Sequence, residues 1–231
     1  MAEKIIGILG GMGPEATVEL FQRIVKLTPA KQDQDHYRII IDNNPKIPDR
    51  TAAIQDCGPD PLPSLIGSAC VLERAGASFI AIPCNTAHHW LEGIRKSVSI
   101  PIIDMVGETA LTVSQYEPSI RSIGVLATEG TLEVGLYQKV LAGLSIEALT
   151  PDSVDQNVVT EAIYKVKTGD YSSKEKLISV IDHLLDRDVH GLILGCTELS
   201  LLVSEGELSC PIFDPISVLA RVAVELAGET L

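Results

Sequence analysis

The chain has 231 residues, 45% of them hydrophobic and 21% charged, with 18 Lys and Arg against 31 Asp and Glu for a formal charge of −13. This is the composition of a folded globular protein, long enough for one large or two small domains. The acidic balance and the 4% aromatic content argue against a nucleic-acid binder, which needs a basic face and stacking rings, and no apolar run approaches the roughly 20 residues of a membrane span.

The elements alternate along the chain. Residues 5–9 form a short β-branched run and predict a buried strand, followed by the turn Gly10-Gly11-Met12-Gly13 and a helix opened by Pro14, with Glu15 at its positive end. Residues 38–41 predict a second strand that ends in the polar loop 42–51, and 65–75 a helix. Residues 78–82 predict a strand and 86–96 a helix after Cys84. The second half replays the pattern: strand 123–126, helices 134–141, 158–167 and 174–185, strand 191–194, and a closing helix over 216–226. Such alternation predicts mostly parallel sheets with helices on both faces.

The halves also share landmarks. Ile5-Ile6-Gly7-Ile8-Leu9 matches Ser122-Ile123-Gly124-Val125-Leu126, and Pro101-Ile102-Ile103-Asp104 matches Pro211-Ile212-Phe213-Asp214. Between them, Cys84 and Cys196 each close an apolar run, in Ile82-Pro83-Cys84-Asn85-Thr86 and Leu194-Gly195-Cys196-Thr197-Glu198. The same order and similar spacing predict two similar α/β lobes, residues 1–105 with 215–231 and residues 106–214, and a cleft between them. In open α/β sheets ligands sit beyond the carboxyl ends of the strands. That rule selects Gly10 to Gly13, Asn43 to Arg50, Cys84, Ala127 to Thr131 and Cys196.

Five cysteines with no Cys-x-x-Cys spacing fit neither a disulfide framework nor a zinc site. They fit free thiols in a reducing cytoplasm, as does an N-terminus where Glu3 and Lys4 lead into a strand pattern instead of a signal peptide. A thiol ionises near about 8.5, and a helix N-terminus lowers that figure. The expected helices after Cys84 and Cys196 would do so for both. A pair of thiols in repeated frames suits proton transfer at the two faces of one carbon, with one sulfur as thiolate and the other as thiol. The chain shows no pyridoxal lysine motif and no metal-ligand set, so this chemistry would need no cofactor. Backbone amides, the hydroxyls of Thr86 and Thr197 and the amide of Asn85 could steady the charge that develops on a substrate carboxylate.

Other features have plainer readings. The glycines in Gly7-x-x-Gly10-Gly11-x-Gly13 depart from a dinucleotide fingerprint and instead suit close approach of the backbone to a small ligand. His88 could pair with Cys84 as metal ligand or base, although a packed helix face is the commoner outcome. An anionic substrate would need local cations to reverse the general field of the protein. Arg50, in a loop where arginine is commonly just surface, and the equally basic neighbours Lys165 and Lys167 are candidates, and composition does not choose between the two lysines.

The motifs at residues 6–14, 43–51, 83–88 and 195–198 resemble those of the cofactor-independent aspartate/glutamate racemases, the aspartate branch most of all. Glutamate racemases of cell-wall synthesis carry histidine where this chain has Glu198. The resemblance implies two lobes related by pseudo-twofold symmetry with the active site between them, and Cys84 and Cys196 as the acid/base pair. It implies an acidic amino acid as substrate, whose side-chain carboxylate meets Arg50 and Lys167, with Lys165 as the alternative. Met12, Asn85, Thr86, Thr128 and Thr197 would line the site. It further implies a homodimer. Maleate isomerase, which also uses two cysteines, and a non-catalytic dicarboxylate-binding module are the rival expectations.

Overall fold

The computed structural model describes residues 4–203 and 206–228. They divide into two compact units, one from the chain start to Glu108 together with the segment from Ile216, the other Thr109–Pro215.

The first unit is built on three parallel strands, β1 (Ile6–Gly10), β2 (Ile39–Asn43) and β3 (Phe79–Ala81), in the order β2-β1-β3. A single bridge from Ile80 to Ile102 extends the sheet on the β3 side. The two faces of this sheet are read directly from the alternation of side chains. Ile6, Ile8, Phe79 and Ala81 face Leu20 and Ile24 of the helix Pro14–Leu27 and Ile216, Leu219 and Ala223 of the helix Pro215–Gly228. Leu9, Ile80 and Ile82 face the other way, onto Leu65 and Leu72 of the helix Leu62–Arg74 and onto Leu91 and Ile94. Each such side chain, removed from water, contributes about 1.5–3 kcal/mol.

The second unit has four parallel strands, β4 (Ser122–Leu126), β5 (Glu147–Leu149), β6 (Leu192–Leu194) and β7 (Ile212–Phe213), in the order β5-β4-β6-β7. This is the connectivity of the first unit again, with β5, β4 and β6 in the places of β2, β1 and β3, and β7 where the Ile102 bridge lies. Leu126, Leu192 and Leu194 pack on Val159, Ile163 and Val166 of the helix Ser153–Lys167 and on Leu177, Val180 and Leu184 of the helix Lys174–Leu185. The repeat read from the landmarks is therefore a repeat of strand order. Both units are α/β with parallel sheets flanked by helices.

Several expected elements differ. The helix expected over 134–141 is Leu136–Gly143, and a separate short helix, Glu129–Glu133, that was not expected precedes it; Gly135, with φ 64°, divides the two. The helix Met105–Ser114, which starts where Asp104 accepts from the Gly107 amide at 3.0 Å, was not expected, nor was β5, a three-residue edge strand with no alternation to announce it. The stretch after Cys84 is a 3-10 turn, Thr86–Trp90, with α-helix only over Leu91–Arg95, and Cys196 is followed by the 3-10 turn Leu199–Leu201 alone. Neither cysteine stands at the start of a regular α-helix. The placement that the helix-dipole argument requires is therefore not the one observed.

Candidate active site

Unit 1 brings its expected site residues together at the carboxyl end of the sheet. β1 and β2 end side by side, Gly10 opposite Asn43, and the Asn44 amide donates to the Gly10 carbonyl at 3.3 Å. Gly11 then turns with φ 96°, and a Cβ there would lie 2.3 Å from the Asn44 carbonyl carbon. Its amide donates to Thr17 Oγ1 at 2.9 Å. Gly11 thus lets the loop close on the protein's own backbone.

Arg50 opens the short helix Arg50–Ile54, whose N-cap Asp49 accepts from the Ala52 amide at 2.8 Å. Its guanidinium reaches back to the carbonyls of Pro48 (3.0 Å) and Met12 (3.5 Å), so the loops after β1 and β2 are tied through this one cation. Nε of Arg50 is buried and makes no hydrogen bond within the structure. Met12 and Ile47 share an apolar cluster with Cys84, and Cys84, Asn85 and Thr86 are all buried.

His88 holds this turn in place. Its Nδ1 lies 2.8 Å from the Cys84 carbonyl, and its Nε2 accepts from the Met105 amide at 3.2 Å. Since Nε2 accepts, the ring proton sits on Nδ1 and is donated to the carbonyl. Burial lowers the pKa of His88 below the ordinary imidazole value, only partly opposed by the bond to Cys84 and the charge of Asp104. The ring is a neutral strut between two backbone segments and touches the cysteine's main chain. It is not the sulfur's base.

Unit 2 presents the other cysteine in a different setting. Gly195 lets the loop after β6 approach β4, where an added Cβ would be 3.0 Å from Ala127. Thr128, the next residue, caps the helix Glu129–Glu133 through Thr131, its Oγ1 accepting from that amide at 3.3 Å. Cys196 belongs to the apolar cluster of the helices Ser153–Lys167 and Lys174–Leu185. Its thiol donates to Oε2 of Glu198 at 2.9 Å, and the Thr197 hydroxyl donates to the same oxygen at 3.2 Å. Oε1 of Glu198 is ion-paired with Lys167, the last residue of the helix Ser153–Lys167. Lys165 points elsewhere, paired with Glu161 at 2.7 Å on the exposed side of that helix. Of the two neighbouring lysines, Lys167 is the one drawn to the cysteine turn.

Glu198 is 6% exposed. Burial pushes its pKa up, but the charge of Lys167 and the bonds from Cys196 and Lys167 outweigh that and hold it below the usual carboxylate value. It is the residue that the sequence reading passed over. The available signal was an acidic side chain two places after the cysteine, in a turn otherwise apolar or hydroxylic. His88 carried a similar signal, four residues after Cys84. No cluster of three or more His, Cys, Asp or Glu side chains suited to a metal ion occurs among the described residues.

Residues 9–223, which include both cysteine loops, match a known family, the Asp/Glu/hydantoin racemases. The chain belongs to that family. It is an amino-acid racemase. Among its racemase relatives, the broad specificity amino-acid racemase RacX of Bacillus subtilis (strain 168) is 30% identical over 227 residues, 95% of this chain and 96% of the relative. The aspartate racemase of Picrophilus torridus is 32% identical and superposes with a TM-score of 0.88 over 99% of this chain and 96% of the other. Glutamate racemase RacE1 of Bacillus anthracis, 19% identical, shares the fold with a TM-score of 0.69 over 96% of this chain and 81% of its own. No helix among the described residues is long and apolar enough to cross a membrane.

Proposed function

We propose that this racemase interconverts the enantiomers of an acidic amino acid, aspartate before glutamate, with Cys84 and Cys196 as base and acid on opposite faces of the α-carbon. The observation that carries the reading is the placement of both thiols, each buried in the first loop residues beyond equivalent strands of two sheets with the same strand order. The thiolate of one cysteine takes the α-proton, the charge passes into the substrate carboxylate as an enolate-like anion, and the thiol of the other returns a proton from the far side. Asn85, Thr86 and Thr197 offer donors to that carboxylate, in partly dry surroundings where such bonds are strongest. Arg50 is the cation proposed for the side-chain carboxylate, its Nε having no bond to give up; Lys167 is its proposed counterpart from the second unit. Met12 and Thr128 are proposed to complete the lining.

The test is proton exchange in deuterated water. Cys84→Ser and Cys196→Ser are each expected to lower racemisation by about 10³-fold or more, the scale of a lost general acid or base. Full activity in either variant would end the reading. Arg50→Ala should raise KM for aspartate by about 10–100-fold, the equivalent of one charge-assisted hydrogen bond of about 1.5–3 kcal/mol, and should leave KM for alanine nearly unchanged. The likeness to a broad specificity racemase favours a second reading, in which neutral amino acids turn over as well. Comparable kcat/KM for alanine and aspartate would decide for it.

A further inference from the structure

Cys84 and Cys196 occupy matching turns, yet the residue two places on is Thr86 in one and Glu198 in the other. We propose that Glu198 is a positioning residue that keeps the proton on Cys196, and that Lys167 is the counter-charge that governs how strongly it does so. The geometry is a chain of three groups, with the Cys196 thiol on Oε2 and the Lys167 ammonium on Oε1 of one carboxylate. An anion at hydrogen-bond distance accepts from S–H and opposes its loss, because the thiolate would place a second negative charge 2.9 Å away in a buried setting. Lys167 offsets part of that repulsion.

Other charged groups nearby are engaged among themselves. Lys165 pairs with Glu161, and Glu129 accepts from the Thr160 hydroxyl at 3.4 Å. Apolar side chains of the helices Ser153–Lys167 and Lys174–Leu185 share a buried cluster with Cys196.

On the proposed two-thiol reading, on which this inference rests for its purpose, Cys196 enters the cycle as the acid and Cys84 as the base. Cys84 takes the α-proton and becomes a thiol; Cys196 gives its proton to the opposite face and becomes a thiolate. Glu198 disfavours that second state. Enantiomers have equal free energies, so kcat/KM is the same in both directions, and the imbalance is confined to kcat and KM taken separately.

The experiment reads the thiol and needs no turnover. The full chain is treated with iodoacetamide across a pH series, and the modification rate of the Cys196 peptide is followed by mass spectrometry, with exposed Cys57 as the internal control. Glu198→Gln keeps the size and the acceptor and removes the charge, so the midpoint of the Cys196 profile should fall by about one pH unit. Lys167→Met removes the counter-charge, so the midpoint should rise by a similar amount. An unchanged midpoint in Glu198→Gln, or shifts of the same sign in both variants, would overturn the proposal. Should Glu198→Gln lose its fold by circular dichroism, the sign of the Lys167→Met shift decides alone. Opposite shifts in a protein that racemises nothing would sink the two-thiol reading and leave this one standing.

Discussion

The two units hold their cysteines by different means on the same scaffold. In the first, support reaches Cys84 through the main chain: His88 grips its carbonyl and in turn receives the Met105 amide. In the second, support reaches the sulfur itself, through Glu198 and behind it Lys167. Repetition of strand order therefore fixes where a thiol stands without fixing its electrostatic surroundings, which depend on single residues in the following turn.

The comparison can be broken most forcefully at His88. His88→Ala removes a donor and an acceptor that satisfy two buried backbone groups, and should cost about 1–3 kcal/mol for the groups left unpaired, read from urea unfolding. A loss below about 0.5 kcal/mol would show that the strut is dispensable. Acid should separate the units further. His88 is held neutral in the fold by burial, with its pKa lowered, so the unfolded chain takes up the proton first. Its contribution is complete above about pH 6.5, the ordinary imidazole value, and is lost as pH falls through the lowered folded value. Glu198 also has a lowered folded value, so its contribution is present above about pH 4.5 and is lost below that. His88→Asn should flatten the first of these limbs and leave the second. His183, its pKa raised by the bond to Asp155, contributes in the opposite sense over the same range. A difference in unfolding midpoint between His88→Asn and the unaltered protein that stays constant between pH 7.5 and 5.5 would therefore contradict the assignment.

The smallest effect is expected at Thr128. As the cap of a five-residue helix, its replacement by Ala should cost about 0.5–1 kcal/mol. KM for aspartate should rise less than in Arg50→Ala. A rise as large as that seen for Arg50 would mean that the hydroxyl serves the substrate more than the helix.

Much of this molecule could be read from its residues. β1, β2, β3, β4 and β6 were legible because they are short β-branched or aliphatic runs bounded by polar or turn-forming residues, and the thiols were legible because their frames repeat. The edge strands β5 and β7 were not, since β5 has three residues, one exposed and two half-buried, and β7 only two. The form of the turn after Cys84 was hidden for another reason: tertiary bonds through His88 decide it, and helical propensity does not. Glu198 was visible as a letter in a motif, but its role needs Lys167, which lies 31 residues away in sequence. Distance in the fold is what the pattern of residues leaves out.

The helix Pro215–Gly228 carries Ile216, Leu219 and Ala223 into the core beneath Ile6, Ile8, Leu20 and Ile24. The first unit therefore waits for a helix that is made after the whole of the second unit. On the ribosome, its opening strands emerge without the helix that covers them, whereas Thr109–Pro215 is a continuous stretch that can be completed earlier. During synthesis the second unit can mature ahead of the first, whose opening strands are the part most in need of a chaperone's cover.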